Sequence, residues 1–372
     1  MFDHNHYVPI LKWKRGERTA LEHLNQTYKD NMTPLIEIQP VPFDHENGDF
    51  RKSIDDHLKD VGTQVKTVWN HAKPIFVDLE TLYDNEDFED DILQSGQHPV
   101  EYVIDEIESN GVPAIPVTGL IRSQPFHTAI KSICSKYNRG ICLRLEIADL
   151  SDIFNLKKNI DNLSNFLHLD KSMVDVILDY KQIIPEQEKQ QLSNVTLTLV
   201  QLPYLMEWRT ITLASTAFPK NLNKIPTGTS GTLPRSEWII YQSLRNYGLA
   251  RIPTFGDYTI THPDFVNIDP RLINVAAGIK YTSGNNFHIF RGTGTRNKGF
   301  GQMIQICINV INHVSYCGNT FSYGDQNIWN CAHQTTTTGT IEKWVTAGVN
   351  HHLTLVSHDL SNLHGASIVG SL

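Results

Sequence analysis

The chain has few features of a membrane protein or a secreted protein. No apolar run among its 372 residues reaches the roughly 18 residues that a membrane-spanning helix requires. The N-terminus lacks the basic segment and apolar core of a signal peptide. The five cysteines are odd in number and form no CxxC pair, which favours free thiols in a reducing compartment. We therefore expect a cytoplasmic protein without a membrane association.

Several catalytic and binding signatures are also missing. The chain has no GxxxxGK[ST] loop and no HExxH helix, and Ser215 has no GxSxG elbow around it. His351, His352 and His358 cluster near the C-terminus without zinc-ligand spacing, so we expect surface or capping histidines. The net charge of −8 argues against a broad nucleic-acid-binding surface, although it permits a local cationic groove.

The chain does contain a series of short apolar runs, each followed by a segment of helical pattern. The runs are YVPILKWK (7–14), TPLIEI (33–38), PIFVDLE (74–80), PAIPVTG (113–119), GICLRLE (140–146), VDVILDY (174–180), RTITLAS (209–215) and RIPTFGD (251–257). Strands separated by crossover-length helices indicate a parallel α/β protein, and eight units in about 250 residues match a (β/α)8 barrel. We predict a TIM-like (β/α)8 barrel over residues 1–258.

The pattern changes after residue 258. The stretch IKYTSGNNFHIFRG (279–292) indicates a hairpin that turns at 284–286, and helical segments follow it. We predict that 259–372 form a C-terminal α+β extension packed on the barrel.

Two earlier segments are ambiguous. The Gly- and Thr-rich loop 221–237 is interpreted as a lid or mobile decoration, and TLTLV (196–200) leaves an extra strand open.

Charged residues occupy the ends of the predicted strands, where barrels place their chemistry. The catalytic candidates are Lys14, Glu80, Arg144, Glu146, Asp179 and Asp257, and the binding candidates are Lys12, Glu37, Asp78 and Arg291. Alternate strand residues share a face. The simplest register therefore sends Lys12 with Lys14, Asp78 with Glu80, Arg144 with Glu146, and Phe255 with Asp257 into the lumen, and turns Gly256 toward the helices.

Buried charges at these positions must be paired, and two arrangements satisfy them. One is a structural network of Lys12, Lys14 and Arg144 with acidic neighbours, in which Glu37 is nearest to the lysines in chain order. The other is a functional site whose excess carboxylate binds a divalent cation, Mg2+ or Mn2+, or acts as general acid and base. Arg291, in the Gly-rich run RGTGTRNKGFG, belongs either to a phosphate cradle or to a flexible hairpin exit.

Peculiar motifs spread along the chain resemble one family. The segments YVPILKWKRGE, TPLIEI, PIFVDLE, LRLE, ILDY, TLASTAFP and KWVTAGVNHHLTLV are similar to the Beta protein family of phages and bacterial mobile or defence-associated loci. The resemblance runs from Tyr7 to about Leu360. It carries over no catalytic residues. It implies a cytoplasmic protein of bacterial or phage origin that takes part in conflict between phage and host.

Two main functions are compatible with these observations. The first is a hydrolase, a phosphoesterase acting on a nucleotide or nucleic acid, in which the strand-end lysines and Arg144 hold phosphate. The strand-end carboxylates would then activate water or bind a metal. The alternative is a non-catalytic sensor or interaction module of an antiphage defence system or phage complex, whose partner is a phage or host protein. A third hypothesis is a purely structural role in such a complex.

Overall fold

The chain is described by a computed structural model that covers residues 2–84, 92–264, 272 and 274–364. The strands are β1 (Tyr7–Lys12), β2 (Leu35–Glu37), β3 (Phe43–Asp44), β4 (Asp49–Phe50), β5 (Ile75–Asp78), β6 (Ala114–Thr118), β7 (Ile141–Glu146), β8 (Val174–Gln182), β9 (Thr210–Thr216), β10 (Ser230–Pro234), β11 (Thr254–Asp257), β12 (Ala276–Ser283) and β13 (Asn286–Gly294).

Helices follow most of the strands. They are α1 (Arg15–Glu22), α2 (Gln26–Lys29), α3 (Ile54–Leu58), α4 (Val61–Trp69), α5 (Pro99–Ser109), α6 (Gln124–Tyr137), α7 (Ile147–Leu150), α8 (Ile153–Leu167), α9 (Glu188–Gln201), α10 (Ser236–Leu244), α11 (Thr295–Lys298), α12 (Met303–Ile311), α13 (Tyr323–Ala332) and α14 (Ile341–His364). Short 3-10 turns lie at Glu80–Asp84, Lys171–Met173 and Arg245–Tyr247. Within the described residues, no helix has the length and apolar character to cross a membrane.

Eight strands close into a parallel barrel in the order β1-β2-β5-β6-β7-β8-β9-β11, with β11 paired back to β1. The predicted (β/α)8 barrel is therefore confirmed. Its register aligns Lys12 with Glu37 and Glu37 with Asp78. Glu146 is level with Asp179 on the opposite part of the wall. The charged strand ends consequently meet at one end of the barrel, which we call the mouth.

The barrel interior is a packed core. A cluster of buried apolar residues, each from alternate positions of the strands or just after them, fills the lumen: Val8, Ile10, Leu35, Phe76, Ile115, Val117, Cys142, Ile177, Ala214 and Tyr258. A second, larger cluster lies between the strands and the surrounding helices. Because the apolar layers fill the lumen below the mouth, polar chemistry in this barrel is restricted to its ends.

Local sequence signals set the helix boundaries. The Ser123 side chain accepts a hydrogen bond from the Phe126 backbone N–H and begins α6, with Pro125 in the first turn. Asn138 ends the same helix in the left-handed conformation. The TLTLV segment lies inside α9, so the extra strand that its β-branched residues left open is absent from this segment. Helical context therefore overrides β-propensity there.

The C-terminal extension is built on a three-stranded antiparallel sheet. The predicted hairpin, β12 and β13, is present, and β10 from the 221–237 loop pairs with β13. That loop is therefore partly a strand of the extension sheet. The last helix, α14, packs along α1, where Thr346 Oγ1 donates to the Gly16 carbonyl and Asn350 Nδ2 to the Ala20 carbonyl, both at 2.9 Å. The extension thus covers the β1–α1 flank of the barrel.

A substitution of Gly140, just before β7, tests how tightly the barrel wall is packed at that point. Its φ of +72° favours glycine, and a Cβ there would lie 1.8 Å from the Met173 carbonyl oxygen. Gly248 has a similar φ of +60° but open space around it. We expect Gly248→Ala to cost about 1 kcal/mol of unfolding free energy and Gly140→Ala about 3 kcal/mol or more, by urea denaturation. Equal costs would show that the carbonyl contact is irrelevant.

Candidate active site

Arg144 lies at the centre of the mouth and is almost fully buried. Its Nε donates to Asp179 Oδ2 at 2.9 Å, and its Nη1 donates to Glu37 Oε1 at 2.9 Å and to Asp78 Oδ2 at 2.7 Å. Nη2 donates to the Tyr258 hydroxyl at 2.7 Å, which in turn donates to Asp179 at 2.5 Å. One guanidinium therefore joins strands β2, β5, β7 and β8 to the segment after β11. We call these five residues the Arg144 network.

The electrostatics of the Arg144 network are those of a closed ion cluster. Burial raises the pKa of Glu37, an effect that the Arg144 guanidinium opposes. Burial would also raise the pKa of Asp78, but Arg122 and Arg144 together hold it below its usual value. The surrounding carboxylates raise the pKa of Arg144 despite its burial. The network corresponds to the predicted structural arrangement, with Arg144 rather than a lysine as its centre.

The lysine pairing expected from chain order differs from the structure. Glu37 pairs with Arg144, whereas Lys12 Nζ donates to the Asp264 backbone carbonyl at 2.6 Å. Lys14 lies just beyond β1, at the residue before α1, and is exposed. A guanidinium has five donors in a fork, so it satisfies several carboxylates at once where an ammonium forms single contacts. This difference explains why the central cation is an arginine.

Above the Arg144 network, two ion pairs form the accessible rim of the mouth. Arg122 Nη1 lies 2.5 Å from Glu80 Oε1, and Lys181 Nζ lies 2.6 Å from Glu146 Oε1. The side chains of Glu80 and Glu146 are each 31 % exposed. Arg122 also reaches Asp78 at 3.4 Å and so connects the rim to the network below. We call Glu80, Arg122, Glu146 and Lys181 the rim quartet.

The two rim carboxylates have different surroundings. Burial raises the pKa of Glu80, the Arg122 and Arg144 guanidinium groups lower it, and the charges of Asp78 and Glu146 raise it. Glu80 begins the 3-10 turn after β5, whereas Glu146 ends β7 and is held by Lys181 from β8. The two rim carboxylates thus differ in the element that carries them and in the cation that each one contacts.

The predicted register is wrong for the last barrel strand. Gly256 faces the lumen, since a Cβ on it would meet Ala214 Cβ at 3.3 Å, and Asp257 faces the helices. There Asp257 accepts a hydrogen bond from the Tyr7 hydroxyl at 2.6 Å and lies 2.8 Å from His352 Nε2 of α14. Phe255 likewise packs outside the barrel, against Trp238. Asp257 thus joins the extension to the barrel wall away from the mouth.

Two of the three C-terminal histidines are core residues rather than surface ones. His351 and His352 are fully buried, contrary to our expectation, whereas His358 is exposed as predicted. His351 Nδ1 lies 2.7 Å from Asp325 Oδ2, which belongs to α13 of the extension. Consecutive histidines of α14 are thus paired with two carboxylates, one from the extension and one from the barrel. They are structural contacts of the helix.

Arg291 lies away from the mouth, in β13. Its Nη1 donates to the backbone carbonyls of Leu222, at 2.7 Å, and Ile225. It therefore fastens the 221–237 loop to the extension sheet. This position matches neither a phosphate cradle nor a flexible hairpin exit.

The donor set at the mouth is a poor match for a protein-held metal. In the described part of the chain, no group of three or more His, Cys, Asp or Glu side chains is placed to hold a metal ion. The candidate carboxylates are also already bonded to Arg122, Arg144 or Lys181. Mg2+ or Mn2+ sites need oxygen ligands that are free to coordinate. The described residues of the mouth therefore do not fit an Mg2+ or Mn2+ ion held by the protein alone.

Sequence reasoning missed three residues of the mouth. Arg122 lies in the loop after β6, four residues past the end of the strand. In a loop, the alternation of strand residues does not predict which way a side chain points. Tyr258 lies two residues after Gly256, which the predicted register turned toward the helices, so that register also turned Tyr258 away from the lumen. Lys181 lies two residues after Asp179, where the β8 register is irregular, so alternation alone did not identify it.

Comparison with known families agrees with the motif resemblance. A family model described as Beta protein matches residues 7–358, which include all eight barrel strands, the rim quartet and most of the extension. Comparison with curated proteins finds no match. A match over nearly the whole chain covers both the barrel and the helix that closes its flank. This chain is a member of the Beta protein family.

Proposed function

We propose that this protein is a barrel hydrolase that cleaves a phosphoester of a nucleotide or nucleic acid at the mouth, with Glu80 and Glu146 as its reacting carboxyl groups. One observation carries the proposal. The carboxylates of the Arg144 network are buried and paired with Arg144, whereas Glu80 and Glu146 are 31 % exposed at the mouth and each adjoins a cation. In barrels of this kind, strand ends at the mouth are where substrates meet catalytic residues.

The reaction uses the two carboxyl groups in opposite roles. Glu146 accepts a proton from a water molecule as the water oxygen bonds to phosphorus. The bond from phosphorus to the leaving oxygen breaks, and Glu80, whose pKa burial raises, donates a proton to that oxygen. Arg122 and Lys181 stabilise the charge on the phosphoryl oxygens. Solvent then returns the proton from Glu146 to Glu80, which restores the site.

The Arg144 network acts in this proposal as a positioning device. Arg144 is buried beneath the rim and bonded to three carboxylates, so its role is to fix β5, β7 and β8 relative to one another. Arg122 contacts both Asp78 of the network and Glu80 of the rim. The orientation of the Glu80 carboxyl group therefore depends, through Arg122, on the Arg144 network. Arg144 itself has no donor free for substrate.

Turnover of a panel of nucleotides, RNA and DNA by Glu80→Gln and Glu146→Gln tests the proposal. Each change keeps the shape and removes the acid–base group, so we expect kcat to fall by about 100-fold or more with little change in KM. Assays with a chelator and with added Mg2+ or Mn2+ show whether turnover needs a metal. The control is Glu342→Gln, which breaks the exposed pair with Arg15 and should leave turnover unchanged.

The same experiment separates catalysis from recognition. If the wild type binds members of the panel and hydrolyses none of them, the rim quartet recognises its ligand without turnover. The protein is then a sensor or interaction module, the alternative that suits a role in phage defence. We further propose that the protein acts in the cytoplasm during conflict between phage and host. The family resemblance supports this context, as do the five cysteines, all of which are free thiols.

A further inference from the structure

Two lysines on the β1 side of the mouth have ammonium groups with unused donors. Lys12 Nζ donates to the Asp264 carbonyl at 2.6 Å, and Lys280 Nζ donates to the Ile260 carbonyl at 3.0 Å. Neither forms an ion pair with a carboxylate of the described residues. An ammonium group carries three donors, so each lysine has further donors for an acceptor from outside the chain. The nearby Asp264 carboxylate is itself paired with Lys220 at 3.0 Å.

A buried carboxyl group lies within electrostatic range of these lysines. Glu17 of α1 is 3 % exposed, and its Oε2 has no hydrogen-bond partner among the described residues. Burial raises the pKa of Glu17 to about 8, although the charges of Lys12, Lys14 and Lys280 oppose the rise. At neutral pH this carboxyl group is mostly protonated, so it offers an O–H donor instead of a negative charge. Burial also lowers the pKa of Lys280 to about 8, which leaves it mostly charged at pH 7.

The fold brings these three groups together from distant parts of the chain. Lys12 ends β1 and Glu17 follows it in α1, whereas Lys280 comes from β12 of the extension. Lys280 Nζ lies 4.4 Å from the centroid of the Phe218 ring, just past β9. The carbonyls that accept from both lysines belong to the 258–264 segment after the last barrel strand. The barrel and the extension therefore build this part of the mouth jointly.

We propose that Lys12, Lys280 and Glu17 form a phosphate-binding subsite on the β1 side of the mouth. Two cations and a neutral acid supply several donors and a net positive charge, which select an anion with several acceptor oxygens. A phosphate group meets this requirement because it is anionic and each of its oxygens accepts hydrogen bonds. The assignment of that phosphate to the substrate rests on the proposed function. The binding of phosphate itself does not.

Calorimetric titration of inorganic phosphate into the full chain at pH 7 tests the subsite. We expect the wild type to bind one phosphate with a Kd of about 1 mM or tighter, and Lys280→Met and Lys12→Met to weaken binding by about 10-fold or more. Lys280→Arg keeps the charge and should retain binding. Glu17→Gln replaces one neutral donor with another and should bind about as well as wild type. Lys157→Met, at the exposed pair with Asp161, is the control.

Three outcomes would overturn the subsite. The first is that the wild type binds no phosphate at a concentration about ten times that Kd. The second is that wild type and Lys280→Met bind phosphate equally well. The third is a several-fold higher phosphate affinity of Glu17→Gln, which would show that Glu17 is ionised in the wild type. Phosphate binding without turnover would refute the hydrolase and keep the subsite, and turnover without phosphate binding would do the reverse. Thermal melts of each variant confirm that the fold survives.

Discussion

Replacing Arg144 with methionine is expected to lower the unfolding free energy by about 3–5 kcal/mol, or to prevent folding altogether. The change leaves Glu37, Asp78 and Asp179 buried around an apolar side chain, with one close cation, Arg122, in contact with Asp78. Uncompensated carboxylates cannot stay ionised there without a large desolvation cost. Urea denaturation at pH 7, followed by circular dichroism, measures the loss.

Two further variants identify the cause of that loss. Arg15→Met removes an arginine from an exposed ion pair with Glu342, whose cost is expected to be under about 0.5 kcal/mol. Arg144→Lys keeps the charge but not the fork of donors, so its cost should be intermediate. If Arg144→Met were no more destabilising than Arg15→Met, the buried network would contribute nothing to the fold. Arg144 would then no longer count as the organising residue of the mouth.

The barrel could be predicted because its signals are local. Each barrel strand is a mainly apolar run of three to nine residues between turn or cap signals, and each ends in a polar residue. The strand runs that begin at Tyr7 and Val174 start within one residue of the observed strands. Helix caps such as Ser123 are equally local. Such features depend on neighbours in the chain, which sequence reasoning reads directly.

The inward register failed at β11 because its lumen-facing residue has no side chain. Gly256 lies where the wall comes closest to Thr212 and Val8, and nothing larger fits. Parity reasoning uses side-chain chemistry to decide which residue faces the core, and glycine supplies none. Phe255 is apolar and suits either side of the wall. The charge of Asp257 then favoured the lumen, although a buried partner, His352, was available 95 residues later.

Partners across the mouth were unpredictable for a different reason. Glu37 was assigned to Lys12 because the two are close in the chain, yet barrel closure brings Arg144 to it from 107 residues away. Lys280 reaches the mouth only because the extension folds back on the β1 side. Such contacts depend on shear, tilt and the packing of α14, which no local pattern encodes. The types of residue at the mouth were predictable, but their pairing was not.

The second large effect is expected at the junction of barrel and extension. Asp257→Ala should cost about 3 kcal/mol or more, because it leaves the Tyr7 hydroxyl, the Thr259 N–H and His352 Nε2 without their acceptor in a fully buried place. Asp257→Asn keeps an acceptor for the first two and should cost less. Urea denaturation compares the two variants with wild type. Equal costs would show that the volume of the side chain, and not its hydrogen bonds, stabilises the junction.

The same junction should make stability depend on pH in a defined direction. Burial lowers the pKa of His352, and the charges of Arg235 and His351 lower it further, although Asp257 opposes them. In the unfolded chain the His352 imidazole therefore takes up a proton near pH 6.5, whereas in the folded chain it stays neutral at that pH. The unfolding free energy consequently falls as the pH drops below that value. His352→Gln cannot titrate. We expect the unfolding free energies of wild type and His352→Gln to approach each other by about 1 kcal/mol or more between pH 7 and pH 5. A constant difference over that range would mean that His352 takes up its proton equally in the folded and unfolded chains.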